Sequence, residues 1–149
     1  MRACIYIEGG GASKELHTRC REGFRRLLEN SGFKGKMPRL VACGSREAAF
    51  DDFLTAHADT RPGDFIALWI DSEDPMADIE RAWDHLKARD NWDAPEGSDD
   101  EQVLLMVTCM ETWIVTARAT LESHYGKNFQ ASRLPPLEGM ESRVRASVL

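Results

Sequence analysis

Three acidic residues, Asp71, Glu73 and Asp74, directly follow the most apolar stretch of the sequence. That stretch, residues 65 to 70, has no polar break and predicts a strand buried on both faces of a parallel sheet. Ligands of open α/β sheets bind at the carboxyl ends of the strands, so these acids lie where chemistry is expected. Carboxylates this close repel one another, and a bound divalent cation would relieve the repulsion. The alternative is an acidic turn that leads into a helix.

A further acid, Glu8, ends an earlier apolar strand at residues 3 to 8, and three glycines follow it, Gly9, Gly10 and Gly11. Glycines let the backbone approach a ligand closely, and the free N–H groups of a following helix can bind an anion. Together with Lys14, these glycines are candidate phosphate-binding residues. Their spacing matches neither the dinucleotide-binding pattern nor the P-loop, and a flexible turn between strand and helix is the other explanation.

Two more residues, Arg46 and Glu111, are candidate phosphate-binding and metal-binding residues because of their positions in the sequence. Arg46 is in the first turn of a helix predicted for residues 46 to 58, where a positive charge opposes the helix dipole. It would either hold a phosphate or be an ordinary surface arginine. Glu111 follows an apolar run at residues 102 to 110, which fits a strand or a helix equally well. It is a candidate extra metal ligand or an ordinary exposed glutamate.

The remaining patterns predict the elements that position these residues. Apolar residues at helical spacing predict a first helix from Ser13, its N-cap, to Asn30. A second strand is predicted at residues 39 to 43. The third predicted helix covers residues 76 to 90, with Ile79, Trp83 and Leu86 on one face, and a short helix at 118 to 125 ends at Gly126.

This order of elements predicts the α/β class, with a mostly parallel central sheet flanked by helices on both faces. The domain is expected to cover residues 1 to 136, and an irregular tail to cover 137 to 149. Right-handed crossovers would bring Glu8 and the acids after residue 70 to the same edge of the sheet. Their oxygens suit Mg²⁺ or Mn²⁺, with Asp71 and Glu73 as ligands and Glu8 as a general acid or base.

Composition limits the class of protein. The chain has 149 residues, of which 42% are apolar and 30% charged, as expected for a single globular domain. It has no stretch long enough to span a membrane and no signal segment, so a cytoplasmic location without membrane contact is expected. Its four cysteines lack zinc or disulfide spacing. The net charge of −6 disfavours non-specific binding to nucleic acid, so such contact would need a local basic patch, a metal or a partner.

Several segments together resemble a known family. They are Ile5 to Gly11, Ala42 to Arg46, Asp71 to Pro75, Trp83 to Leu86, Arg89 to Trp92, and Leu105 to Trp113. The chain is similar to the Toprim domains of topoisomerases, primases and overcoming-lysogenisation-defect nucleases, which have a Glu after the first strand and Asp-x-Asp after the third. More closely, it resembles the Toprim-like domain-of-unknown-function family numbered 4276. One departure is Ala117, where that family commonly has an acid.

The resemblance implies a metal-dependent nuclease that acts on DNA or RNA, often as the effector of an ATPase in antiphage defence. A catalytically silent subunit that regulates, or is regulated by, an ATPase is the second hypothesis, which the acidic net charge and the short C-terminus favour. A receiver-like phosphoacceptor is the third and the weakest, because one Glu stands where receivers have an acidic pair. The oligomeric state is left open, a homo-oligomer included.

Overall fold

The computed structural model describes residues 1–143; the last part of the predicted tail, 144–149, lies outside the described residues. The sheet has four parallel strands in the order β2-β1-β3-β4. The strands are β1 (Ala3–Glu8), β2 (Arg39–Gly44), β3 (Phe65–Asp71) and β4 (Val103–Met106). The α-helices are α1 (Lys14–Leu28), α2 (Arg46–Ala58), α3 (Ala82–Asp90), α4 (Met110–Thr116) and α5 (Arg118–Tyr125). The predicted α/β class is confirmed.

Helices cover both faces of the sheet because successive side chains of a strand point to opposite sides. On one face, Ile66, Leu68 and Ile70 of β3 pack with buried residues of α2 and α3. On the other face, Ala67 and Trp69 pack against α1. All five of these β3 side chains are buried, which explains the unbroken apolar run in the sequence. Among residues 1–143, no helix is both long and apolar enough to cross a membrane.

The first half of the chain follows its local patterns closely. β1 and α2 have the predicted bounds, and Ser13 is the N-cap of α1, its side chain accepting a hydrogen bond from the backbone N–H of Leu16 at 3.2 Å. The ambiguous run at residues 102 to 110 forms the short edge strand β4, and α4 begins at Met110. Glu111 and Trp113 are therefore helical residues.

The predicted start of α3 is wrong. The helix begins at Ala82 rather than residue 76, and Ile79, predicted on the same helical face as Trp83 and Leu86, lies before it with 76% of its surface exposed. The first turn is fixed by a distant residue, because the backbone N–H of Trp83 donates to the Asp100 carboxylate at 2.8 Å. Capping by a side chain from another loop has no local sequence signal.

Part of the predicted tail packs against the domain. Met140 is buried and forms a small apolar cluster with Val115 of α4 and with Leu134. It begins a short 3₁₀ turn, Met140–Ser142. Residues on both sides of the expected boundary at 136 thus belong to one cluster with Val115 of α4.

Candidate metal centre

Three carboxylates meet at the carboxyl edge of the sheet. Glu8 ends β1, Asp71 ends the neighbouring strand β3, and Glu73 lies two residues further on. Each offers an oxygen, and the three oxygens lie within 4.8 Å of one another. Asp71 is only 4% exposed, while the other two are half-buried. The fold therefore brings the ends of β1 and β3 together, as predicted.

Backbone hydrogen bonds orient two of these carboxylates. The N–H of Asp71 donates to Oε2 of Glu8 at 3.1 Å, which links the ends of β1 and β3. The Oδ1 atom of Asp71 accepts from the N–H of Met110 at 2.8 Å, which ties the same strand end to the first residue of α4. Each acid is thus held by a donor from another element, so its position depends on the tertiary structure and not on its own rotamer alone.

Glu73 reaches the cluster through an unusual backbone conformation. Its φ is +63°, in the left-handed region that residues with a Cβ rarely adopt. The conformation is fixed by hydrogen bonds that continue past the end of β3. The N–H of Ser72 donates to Met106 at 2.9 Å, and that of Glu73 donates to Thr108 at 2.7 Å. The chain therefore turns sharply enough to bring a second acid back beside Asp71.

The other two predicted metal ligands lie outside this cluster. Asp74 is exposed, and its Oδ2 pairs with Nε of Arg89 at 3.0 Å. Glu111 lies in the first turn of α4 and is not part of the group of three acids. Of the three acids at the end of β3, Asp71 and Glu73 thus lie in the cluster and Asp74 lies on the surface.

Arg46, predicted as a possible phosphate contact, is buried directly beside the acids with 8% of its surface exposed. Its Nε and Nη2 atoms donate to both oxygens of Asp90, at 3.0 and 2.8 Å. Its Nη1 donates to the backbone carbonyl of Asp71 at 2.5 Å and lies 3.5 Å from Oε2 of Glu8. The guanidinium also stacks 5.2 Å from the ring centroid of Trp92. Arg46 therefore joins β1, β3 and α3.

The charges in this group keep Arg46 cationic. Burial by itself would lower the Arg46 pKa, but the hydrogen bonds and charge of Asp90 and the charges of Glu8 and Glu73 raise it above its ordinary value. Burial likewise would raise the pKa of Asp90, yet Arg46 and Arg89 lower it. A fixed positive charge thus partly balances the carboxylates of the centre.

The three glycines after Glu8 form a tight turn held against α1. Gly9, Gly10 and Gly11 have φ values of +133°, +88° and +57°. A Cβ on Gly10 would lie 2.9 Å from the Cα of His17, so a larger residue would displace the helix. His17 also forms a hydrogen bond through Nε2 to the carbonyl of Gly11 at 2.7 Å. Lys14, the first residue of α1, is exposed just beyond this turn.

Sequence reasoning missed the partners that support the centre. Asp90 and Trp92 entered only as part of a family motif, although they hold Arg46. The signal that could have found them is the unfavourable position of Arg46 at a helix start, which calls for a compensating acid elsewhere. His85, which lies within one of the family motifs, forms a hydrogen bond through Nε2 to the carbonyl of Ser72 at 2.8 Å.

Comparisons with known proteins give one family. No curated protein and no solved structure matches the chain. A family model described as "Domain of unknown function (DUF4276)" matches residues 7–142, which include all three acids of the cluster, the glycine turn and Arg46. The match covers most of the sequence and agrees with the resemblance found in its motifs. The chain therefore belongs to the DUF4276 family.

Proposed function

We propose that this chain is a metal-dependent nuclease that hydrolyses phosphodiester bonds of DNA or RNA. The observation that carries the proposal is the cluster of Glu8, Asp71 and Glu73, whose oxygens lie within 4.8 Å of one another. Three carboxylates so close together repel, and hard oxygen donors of this kind are what Mg²⁺ and Mn²⁺ prefer. The donor set fits such an ion, with Asp71 and Glu73 as its ligands.

The protein groups around the cluster have separable tasks in this proposal. A divalent ion would supply charge stabilisation for the phosphoryl oxygens. Glu8, oriented by the N–H of Asp71, is placed to accept or donate a proton as the general acid or base. The glycine turn precedes a 15-residue helix that begins at Lys14, and the N-terminus of this helix favours a phosphate. Arg46 holds the strand ends and is a positioning residue.

The family resemblance further supports an ATPase partner and a role in antiphage defence. The net charge of −6 agrees with a need for help in holding nucleic acid, because the chain itself would repel a polyanion at long range. A partner that supplies basic surface would remove this obstacle. Nuclease assays should therefore be run with and without an ATPase partner.

The first test is a calorimetric titration with Mg²⁺ and Mn²⁺. An Asp71→Asn, Glu73→Gln double variant keeps the size of both side chains, and Asn can still accept the bond from Met110. We expect the parent to bind metal and the double variant to lose binding. Asp74→Asn is the matched control, because Asp74 is an acid of the same stretch that lies outside the cluster, and it should bind like the parent.

Cleavage of labelled single-stranded and double-stranded DNA and RNA then tests the activity itself. We expect metal-dependent products from the parent and from Asp74→Asn, and none from the double variant. Absence of metal binding at millimolar concentration, in a protein with a folded circular dichroism spectrum, would refute the nuclease. The silent regulatory subunit would then be the better description of the chain.

A further inference from the structure

An apolar cleft of about 440 Å³ opens beside the acidic cluster, between α1 and α4. Its walls include Phe24 and Leu27 of α1 and Met110, Trp113 and Ile114 of α4. Large apolar side chains there are left open to solvent, since Trp113 is 40% and Ile114 47% exposed. Exposed apolar surface that lines a concave site usually marks a place where a ligand binds.

Residues that adjoin the candidate metal centre form part of the cleft wall. Gly9 and Gly10 line it, and they directly follow Glu8 in the chain. Met110 lines it too, and its backbone N–H donates to the carboxylate of Asp71. A group bound in the cleft would therefore be a close neighbour of a phosphate bound at the acids.

The aromatic wall of the cleft is held in place from behind. The ring of Trp113 lies 6.5 Å from that of Trp69, measured between centroids, and Trp69 in turn packs edge-on against Phe24 at 4.7 Å. Both Trp69 and Phe24 are buried, so the ring that lies beside Trp113 is itself packed in the core. An indole that lies beside a buried aromatic ring yet is accessible is a suitable surface on which a planar ring can stack.

A cation lies at the rim of the same cleft. Arg19 of α1 lines it and pairs with Glu15 at 2.6 Å. Both side chains are more than 70% exposed, and exposed pairs of this kind contribute little, so the guanidinium can turn toward a phosphate. These features are complementary to a nucleotide. The apolar cleft and its aromatic wall suit the base, and the cation and the nearby acidic centre with its metal suit the phosphates.

We propose that the cleft binds an unpaired nucleobase of the substrate, stacked on Trp113, while the adjoining phosphate lies at the acids. This inference rests on the proposed nuclease function and specifies its substrate as a single strand. A base inside a duplex is covered by its neighbours on both faces and would have to leave the stack to enter the cleft. Stacking accepts any base, so the cleft selects unpaired strands without strong sequence preference.

The test is fluorescence anisotropy with labelled single-stranded oligonucleotides and a duplex of the same length. Binding is measured in EDTA and again in Mg²⁺. The Mg²⁺ measurements use proteins that also carry Glu8→Gln, which prevents cleavage. Trp113→Ala should weaken single-strand binding about tenfold, Trp113→Phe should restore most of it, and duplex binding should be weak in all proteins. Tyr125→Ala is the matched control, because Tyr125 is an exposed aromatic residue on α5 that does not line the cleft.

The outcomes separate this inference from the nuclease proposal. Suppose that the parent binds metal. If Trp113→Ala then binds single strands as tightly as the parent, or if the parent binds no single strands, the base site is refuted and the metal centre is not. If metal binding is absent but the loss in Trp113→Ala and its rescue by Phe are found, the base site is supported alone. Sedimentation that shows a parent dimer broken by Trp113→Ala, with oligonucleotide binding unchanged, would assign the cleft to a second copy and refute the inference.

Discussion

The left-handed conformation of Glu73 carries an energetic cost that can be measured. A residue with a Cβ at φ near +60° is disfavoured by about 1 kcal/mol or more. Glu73→Gly and Glu73→Ala both remove the carboxylate, but only glycine also removes this strain. We expect the Gly variant to be more stable than the Ala variant by about 1 kcal/mol in urea unfolding.

The same pair of substitutions at Asp74 is the control for this comparison. Asp74 has no positive φ, so there Gly should be the less stable of the two, because glycine loses more conformational freedom on folding. An Ala variant at Glu73 as stable as the Gly variant would show that the turn is unstrained. A strained residue at a cluster of acids is consistent with selection for the position of its side chain.

Arg46 and Asp90 connect strand ends to a helix, and their pairing should make stability depend on pH. Because the Asp90 pKa is lowered in the folded protein, its contribution is fully present above the ordinary aspartate pKa and is lost as the pH falls through the lowered value. Asp90→Asn removes the charge that pairs most closely with the buried Arg46 and leaves the Glu8 carboxylate at 3.5 Å. We expect this variant to be about 3 kcal/mol less stable than the parent at pH 7, with the difference narrowing in acid.

Urea unfolding at pH 7 and at several acidic values checks this prediction. Asp84→Asn is a matched control on the same helix, because Asp84 forms an exposed pair with Arg81 and its substitution should change stability little at any pH. A difference between Asp90→Asn and the parent that stays constant down to strong acid would mean that Asp90 does not titrate as the geometry implies.

The sequence alone predicts some elements better than others, because some are determined by local patterns and others by residues distant in the sequence. β1, β3 and α2 could be predicted because burial on both faces and helical caps leave local patterns. The convergence of Glu8 and Asp71 followed from the handedness of the crossovers. The start of α3 and the role of Arg46 could not be predicted, since each depends on an acid that is distant in sequence, Asp100 and Asp90. The apolar cleft could not be predicted either, because its walls come from both α1 and α4.

At the scale of the whole molecule, a bound metal should stabilise the fold. A ligand at 100 times its dissociation constant adds about 2.7 kcal/mol, which corresponds to a rise of roughly 5–10 °C in Tm for a domain of this size. We expect Mg²⁺ or Mn²⁺ to produce this rise in the parent and in Asp74→Asn, but not in Asp71→Asn. Differential scanning calorimetry with sodium chloride at equal ionic strength separates binding from general screening. A similar rise in Asp71→Asn would place the ion elsewhere.

The position of β1 between β2 and β3 also determines when the acidic cluster can exist. Glu8 and the backbone N–H that orients it are 63 residues apart, and the donor that orients Asp71 lies a further 39 residues along the chain. Such non-local strand pairing forms late in folding. A chain growing on the ribosome would therefore display its acids as isolated side chains until β3 and the start of α4 had emerged. The proposed metal centre would therefore be completed only after the start of α4 has been synthesised, and shorter nascent chains would lack the proposed activity.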